Sequence, residues 1–142
     1  AQTKLSAEIY EAINNGVYAA GFATTQEAYA QAYYALFGTL DELDSRLEDH
    51  GPYLFGERIV ETDWRLFCTL IRFDAVYHGH FKCNHRRITE YPALQSYLER
   101  LYRLPGIADT VNFDHIKRHY YITHDDINPT QIVPEGPEIP WA

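Results

Sequence analysis

Glu61–Gly79 reads ETDWRLFCTLIRFDAVYHG, and its apolar residues decide the fold class. Wound at 3.6 residues per turn, Trp64, Phe67, Leu70, Ile71 and Phe73 cover most of the circumference. A helix this apolar belongs at the buried centre of a bundle, not on its surface. The same helix carries Asp63, Arg65, Arg72 and Asp74. Charges on a buried helix must be paired or neutralised. The spacing therefore predicts an ion pair between Asp63 or Asp74 and one of the two arginines.

The elements on either side are helical too. Leu5, Ile9 and Ile13 recur every four residues and predict a first helix over Thr3–Ile13. Asn14-Asn15-Gly16 reads as a left-handed stop, and Val17–Ala23 as a short apolar break. Thr24 and Glu27 have the spacing of a capping box, which would open a second helix. Tyr29, Tyr33, Leu36, Leu40, Leu43 and Leu47 form one apolar stripe along it, and His50-Gly51-Pro52 ends it. Tyr53–Gly56 reads as a compact turn.

Beyond the central helix, His80–Glu90 is a polar, basic stretch expected to be a loop or short helix. Pro92 suits the first turn of a fourth helix, with Leu94, Leu98 and Leu101 on one face and Tyr97 and Tyr102 flanking. That helix ends before Pro105-Gly106. Asn112 can cap a fifth, with Phe113, Ile116 and Tyr120 inward. From His124 onward come Pro129, Pro134, Pro137 and Pro140 and no basic residue. Such a tail should lie extended across the surface. No segment alternates as a strand would, and no repeat or linker divides the chain. The expectation is one all-α domain over residues 1–142, a helical bundle over 1–123 with an extended tail over 124–142.

Composition narrows the function classes. The 142 residues are 46% hydrophobic and 23% charged, a globular balance that excludes a disordered chain or a disulfide scaffold. No apolar run approaches the roughly 18 residues of a membrane span. The first residues lack the basic start and apolar block of an export leader. With 12 basic and 20 acidic residues the net charge is −8, so a nucleic-acid or anionic-membrane partner is disfavoured for want of a basic footprint. Cys68 and Cys83 read as free thiols in a reducing, cytoplasmic setting. Twelve Tyr and seven Phe without Met suggest a core with a hydrogen-bonding margin. The chain enters its helical pattern almost at once, as a piece of something longer would.

Two ordered groups of motifs carry a family resemblance. Tyr53-Leu54-Phe55-Gly56 precedes Asp63-Trp64-Arg65-Leu66-Phe67, and Tyr91-Pro92-Ala93-Leu94 precedes Leu104-Pro105-Gly106-Ile107. That order resembles the all-helical C-terminal domain of glutathione transferases. NNGVYAAGFA (14–23), RLFCTLIRFDAVYHGHFKCN (65–84), HIKRHYY (115–121) and INPTQIVPEGP (127–137) narrow it. Together they resemble the glutathionyl-hydroquinone reductases, the Xi class, over nearly the whole chain. The family's helix usually opens with Ser or Thr three residues before its aspartate. Here that position is Val60, whose side chain accepts no N–H. The missing cap leaves Asp63 to favour the N-terminus by its charge.

The resemblance implies reductive removal of glutathione from a glutathionyl-hydroquinone. A thioredoxin-like first domain would bind glutathione and supply a nucleophilic cysteine in a Cys-Pro motif. That domain and that motif are absent from this chain, which alone is expected to be inactive. Cys68 reads as inert helix packing, and Cys83, beside Lys82 and near Arg86, as a structural thiol or one with a lowered pKa. What the chemistry would need from the helical domain is an aromatic slot with proton donors. By resemblance, Tyr18, Tyr77 and Tyr120 hold the motif positions that face the hydroquinone, with Tyr121 the alternative in HIKRHYY. Taken alone, each also reads as a core or rim tyrosine. The family's dimers, built largely from this domain, imply a two-fold homodimer.

Other readings compete. His78, His80, Cys83 and His85 form a tight His/Cys cluster, and His115, His119 and His124 follow, but no four-ligand zinc spacing appears, and the expectation is no metal. Lys82, Arg86 and Arg87 read as a solvated loop or as an anion contact. A different class of function is a non-catalytic helical module that dimerises or binds an aromatic ligand. A thioredoxin-like segment with a Cys-Pro motif upstream of Ala1 in the reading frame would decide for the reductase.

Overall fold

The computed structural model describes residues 2–142. Helix α1 (Gln2–Ile9) runs on through a π turn over Tyr10–Asn14, then α2 (Gly16–Gly21), α3 (Gln26–His50) and α4 (Glu61–Arg72) follow. A second π turn over Phe73–Tyr77 joins α4 to the single turn α5 (His78–His80). A short 3-10 turn precedes α6 (Pro92–Tyr102), and another precedes α7 (Phe113–Thr123). No strand occurs among the described residues; the Tyr53–Gly56 turn closes with an isolated bridge. The fold is all-helical, as the periodicity predicts.

Leucines at the expected spacing make the core. Leu36, Leu40, Leu43 and Leu47 of α3 are buried, joined by Phe37, while Tyr29 and Tyr33 are half-buried. Leu66, Phe67, Leu70, Ile71 and Phe73 of the central spiral are buried in the same core. Each such side chain contributes about 1.5–3 kcal/mol on leaving water. Pro92 occupies the first turn of α6, where its missing N–H costs nothing. The side chain of Asp44, on α3, accepts the Leu94 N–H at 2.9 Å and so caps α6 from a neighbouring helix. Asn112 caps α7 by accepting from His115 N at 3.1 Å.

Several expectations need correction. Asn14-Asn15-Gly16 does not stop the first helix. Asn15 keeps helical angles (φ −81°, ψ −33°), and its N–H reaches the Tyr10 carbonyl five residues back at 2.7 Å. The extra residue is absorbed in a π turn, and Val17–Ala20, expected as a break, winds into α2. Fully buried Ile13 anchors this turn. Asn14 also donates to Thr69 Oγ1 at 2.7 Å and to the Arg65 carbonyl at 3.0 Å. The N-cap of α3 is Thr25, not Thr24; its hydroxyl accepts from Ala28 N at 3.1 Å.

Neither aspartate of the central spiral pairs with an arginine. Asp63 is wholly buried and accepts from Val60 N (2.8 Å), Leu54 N (3.1 Å) and the Tyr97 hydroxyl (2.9 Å). Three donors supply what an ion pair would have, without desolvating a guanidinium. The bond to Val60 N also supplies half of the cap that valine cannot make. Arg65 instead pairs with Glu61 at 2.8 Å on the surface, and Arg72 donates to the Cys68 carbonyl at 2.7 Å. Asp74 accepts from Ile88 N (2.7 Å) and Thr89 N (3.3 Å); burial pushes its carboxyl up, against those two bonds.

Beyond Thr123 the chain carries no helix. It runs back along α7, where Asn128 donates to the Tyr121 and Ile132 carbonyls and Gln131 to the Ile122 carbonyl. Trp141 ends edge-on against Tyr102, ring centroids 5.3 Å apart.

Candidate functional site

Tyr18 stands on α2, Tyr77 in the second π turn and Tyr120 near the end of α7. Their hydroxyls meet. The Tyr18 and Tyr120 oxygens are 2.7 Å apart, and those of Tyr77 and Tyr120 are 2.8 Å apart. Tyr120 is thus the middle of a three-phenol chain. Three hydroxyls own three hydrogens, and the two links use two of them. One hydrogen remains to be donated outward. Tyr77 is 2% exposed and Tyr120 7%, but Tyr18 is 37% exposed, so the chain opens to solvent at Tyr18.

The burial has an electrostatic consequence. Desolvation, reinforced by the bond from Tyr18, pushes the Tyr120 phenol up to about 12. Tyr77 is raised further, again chiefly by burial and then by Tyr120. Both therefore keep their protons at neutral pH and act as hydrogen-bond donors rather than as bases. A cluster of this kind can hold an aromatic ligand by its oxygen and stabilise negative charge that develops there.

Aromatic side chains line the phenols. Phe81 is fully buried, stacks on Tyr77 (5.3 Å, 14°) and leans on Tyr18 at 5.2 Å. It comes so near the backbone of α2 that a Cβ on Gly21 would lie 2.3 Å from its ring. Only glycine admits this approach. Phe22, 40% exposed, lies nearly parallel to Tyr18 with centroids 6.4 Å apart. His124 meets the Phe22 ring edge-on at 5.0 Å. Phe22, Phe81 and His124 are not marked as site residues by sequence reasoning. The four-residue step from Tyr77 to Phe81 is a signal that could have found Phe81; nothing in the sequence marks Phe22, and His124 stood out only among the histidines weighed for a metal.

The remaining candidates fall elsewhere. Tyr121 turns from the phenol chain and packs on the His80 ring at 4.5 Å. Cys68 is exposed, not packed among apolar neighbours as expected, because the apolar arc of α4 leaves that position outside. Cys83 is buried, and desolvation pushes its thiol up to about 12, the opposite of activation. Lys82, Arg86 and Arg87 are exposed. Arg86 lies over the Tyr91 ring at 5.4 Å, and the Arg87 N–H donates to Glu90 at 2.9 Å. Among the described residues no three His, Cys, Asp or Glu side chains converge to hold a metal ion. His80 and His124 instead pair with each other, Nε2 to Nδ1, at 3.2 Å. No helix among these residues is long and apolar enough to cross a membrane.

The chain is similar in sequence and in fold to known proteins. Residues 26–100 match the family described as Glutathione S-transferase, C-terminal domain. The chain is 53% identical over 137 residues to glutathionyl-hydroquinone reductase PcpF of Sphingobium chlorophenolicum, covering 96% of this chain and 44% of that protein. Among solved structures, the glutathione-bound YqjG of Escherichia coli K-12 superposes with a TM-score of 0.94 at 50% identity, over 96% of this chain and 44% of that one. A Xi-class transferase from Natrialba magadii gives 0.95 at 51% identity, over 98% and 42%. The chain thus spans less than half the length of the proteins it matches. With more than half of its residues inside the family match and its helices superposing on such structures, the chain belongs to the glutathione S-transferase C-terminal domain family.

Proposed function

We propose that this chain is the hydroquinone-binding and dimerisation half of a glutathione-dependent reductase that converts glutathionyl-hydroquinones to hydroquinones. A thioredoxin-like domain on polypeptide outside this chain supplies the nucleophilic thiolate and most of the glutathione contacts. The thiolate attacks the thioether sulfur. The carbon–sulfur bond breaks, and its electron pair stays with the ring, which takes up a proton. The mixed disulfide left behind is attacked by a second glutathione, which yields oxidised glutathione and restores the thiol.

The observation that carries this reading is the phenol chain. Charge that builds on the ring and its oxygens meets a hydroxyl oriented beforehand by two others, beside the buried rings of Tyr77, Tyr120 and Phe81. Relatives named as glutathionyl-hydroquinone reductases support the substrate class. The whole polypeptide works as a cytoplasmic homodimer in this reading.

The test is turnover of a glutathionyl-hydroquinone by the whole polypeptide carrying Tyr18→Phe, Tyr77→Phe or Tyr120→Phe. Lower turnover in each is expected. Unchanged rates for all three remove the assignment and leave an aromatic-binding or dimerisation module.

A further inference from the structure

Behind the phenol chain lies the imidazole pair of His80 and His124. His80 is 5% exposed and closes the spiral that begins at Glu61. His124 is the residue at which α7 stops, its backbone (φ −88°, ψ 64°) already outside the helical range. The two rings are nearly parallel, 11° apart in plane, with one nitrogen of each 3.2 Å from the other. One of those nitrogens carries the proton and the other accepts it.

The pair packs on rings that lie in α7 or just beyond α2 and α5. His124 touches Phe22 of the α2 end at 5.0 Å, Phe81 at 5.8 Å and Tyr120 of α7 at 5.5 Å. His80 stacks on Phe81 at 5.1 Å and meets Tyr121 at 4.5 Å. Neither imidazole bonds to a phenol oxygen, so the pair acts through the backbone and rings. The His124 N–H closes the last turn of α7 on the Tyr120 carbonyl at 3.2 Å. Fixing His124 therefore fixes the turn from which Tyr120 projects.

We propose that His80 and His124 are positioning residues for the Tyr18–Tyr120–Tyr77 chain, and that the hydrogen bond between the two imidazoles sets where the Tyr120 hydroxyl lies. The proposal rests on reading that chain as the ligand site.

Two variants of one residue separate a hydrogen bond from mere filling of space. His124→Phe keeps a ring and loses the bond. His124→Asn loses the ring but puts an amide where Nδ1 stands. Both are made in the whole polypeptide with 13C-labelled tyrosine. The expected result is that His124→Phe shifts the Tyr120 ring signals, speeds amide exchange at the end of α7 by about tenfold and lowers kcat more than it raises KM. His124→Asn is expected to restore all three. Wild-type signals in His124→Phe, or equal disturbance by both variants, overturn the proposal. If His124→Phe does not fold, His80→Phe replaces it. It too keeps a ring and loses the bond, and wild-type Tyr120 signals in it overturn the proposal. The tyrosine spectrum does not depend on turnover. Displaced Tyr120 signals together with unaltered rates in the three Tyr→Phe variants would sink the site reading and leave the positioning claim standing.

Discussion

The hydroxyl oxygens of Tyr18 and Tyr120 lie 2.7 Å apart, although 102 residues separate them in the chain. Tyr120 also holds Tyr77, so removing its oxygen breaks both links and strands a buried hydroxyl. Tyr120→Phe should therefore destabilise the chain by about 1–3 kcal/mol, the cost of one unsatisfied buried group. Tyr18→Phe, at the exposed end, should cost well under that. In the whole polypeptide both should lower turnover, by as much as about 100-fold if the chain supplies a transition-state donor. Urea unfolding and steady-state rates, measured side by side, separate the two effects. Equal stability losses for the two variants would contradict the order given to the chain.

Asp63 gathers three donors in a fully buried position. Asp63→Ala would leave the Leu54 and Val60 N–H groups and the Tyr97 hydroxyl unpaired. A loss of about 3–5 kcal/mol is expected. Asp63→Asn should recover part of it, because one carbonyl oxygen still accepts. Denaturant midpoints check the ranking.

Gly21→Ala would drive a methyl into the Phe81 ring. Overpacking of this kind costs about 1–3 kcal/mol. Near-ultraviolet circular dichroism should change with it, since Phe81 stacks on Tyr77 and leans on Tyr18. Combining it with Phe81→Leu should return part of the stability. A silent Gly21→Ala would mean that the ring has room to retreat.

The two thiols should differ in reactivity. Cys68 is exposed, while Cys83 is buried with its thiol pushed up to about 12. A disulfide reagent at pH 8 should titrate one equivalent in the native chain and a second only after unfolding. Rapid modification of both would remove the buried placement of Cys83.

His80 gives a pH signature. Burial first, then His124 and Lys82, push its imidazole down to about 4, with Asp126 pulling the other way. The unfolded chain takes up this proton near pH 6.5. Between about 6.5 and 4 the unfolded state binds more protons than the native one, so stability falls as pH falls. Above that window the contribution is complete. Asp74, with a raised carboxyl, acts with the opposite sign. Comparing wild type with His80→Gln across pH isolates the imidazole. Parallel curves would show that it does not titrate between the two states.

Elements whose signal is local were legible in the chain. The leucine stripe of α3, Pro92 at the head of α6 and Asn112 before α7 each act on neighbours three or four residues away, which is the distance periodicity reads. The two π turns were not legible. An added residue shifts the phase of a helix without changing its composition, and so Asn14-Asn15-Gly16 looked like an end. The partners of Asp63 were hidden for another reason: two are backbone N–H groups of a loop, and the third lies 34 residues on. The convergence of Tyr18, Tyr77 and Tyr120 came from family motifs, since nothing in their spacing joins them. Adjacent Tyr120 and Tyr121 differ by about 100° around α7, and only packing tells which one meets the other phenols.

The turn over Phe73–Tyr77 is a shim in the spiral, one residue more than regular winding requires. Removing a codon within it would close the gap and leave both flanks aimed as they are. Removing one between Glu61 and Arg72 would instead swing Tyr77 and Phe81 by about 100°. Tolerance of length change is thus confined to a single place along this rod, and indels among relatives should collect there.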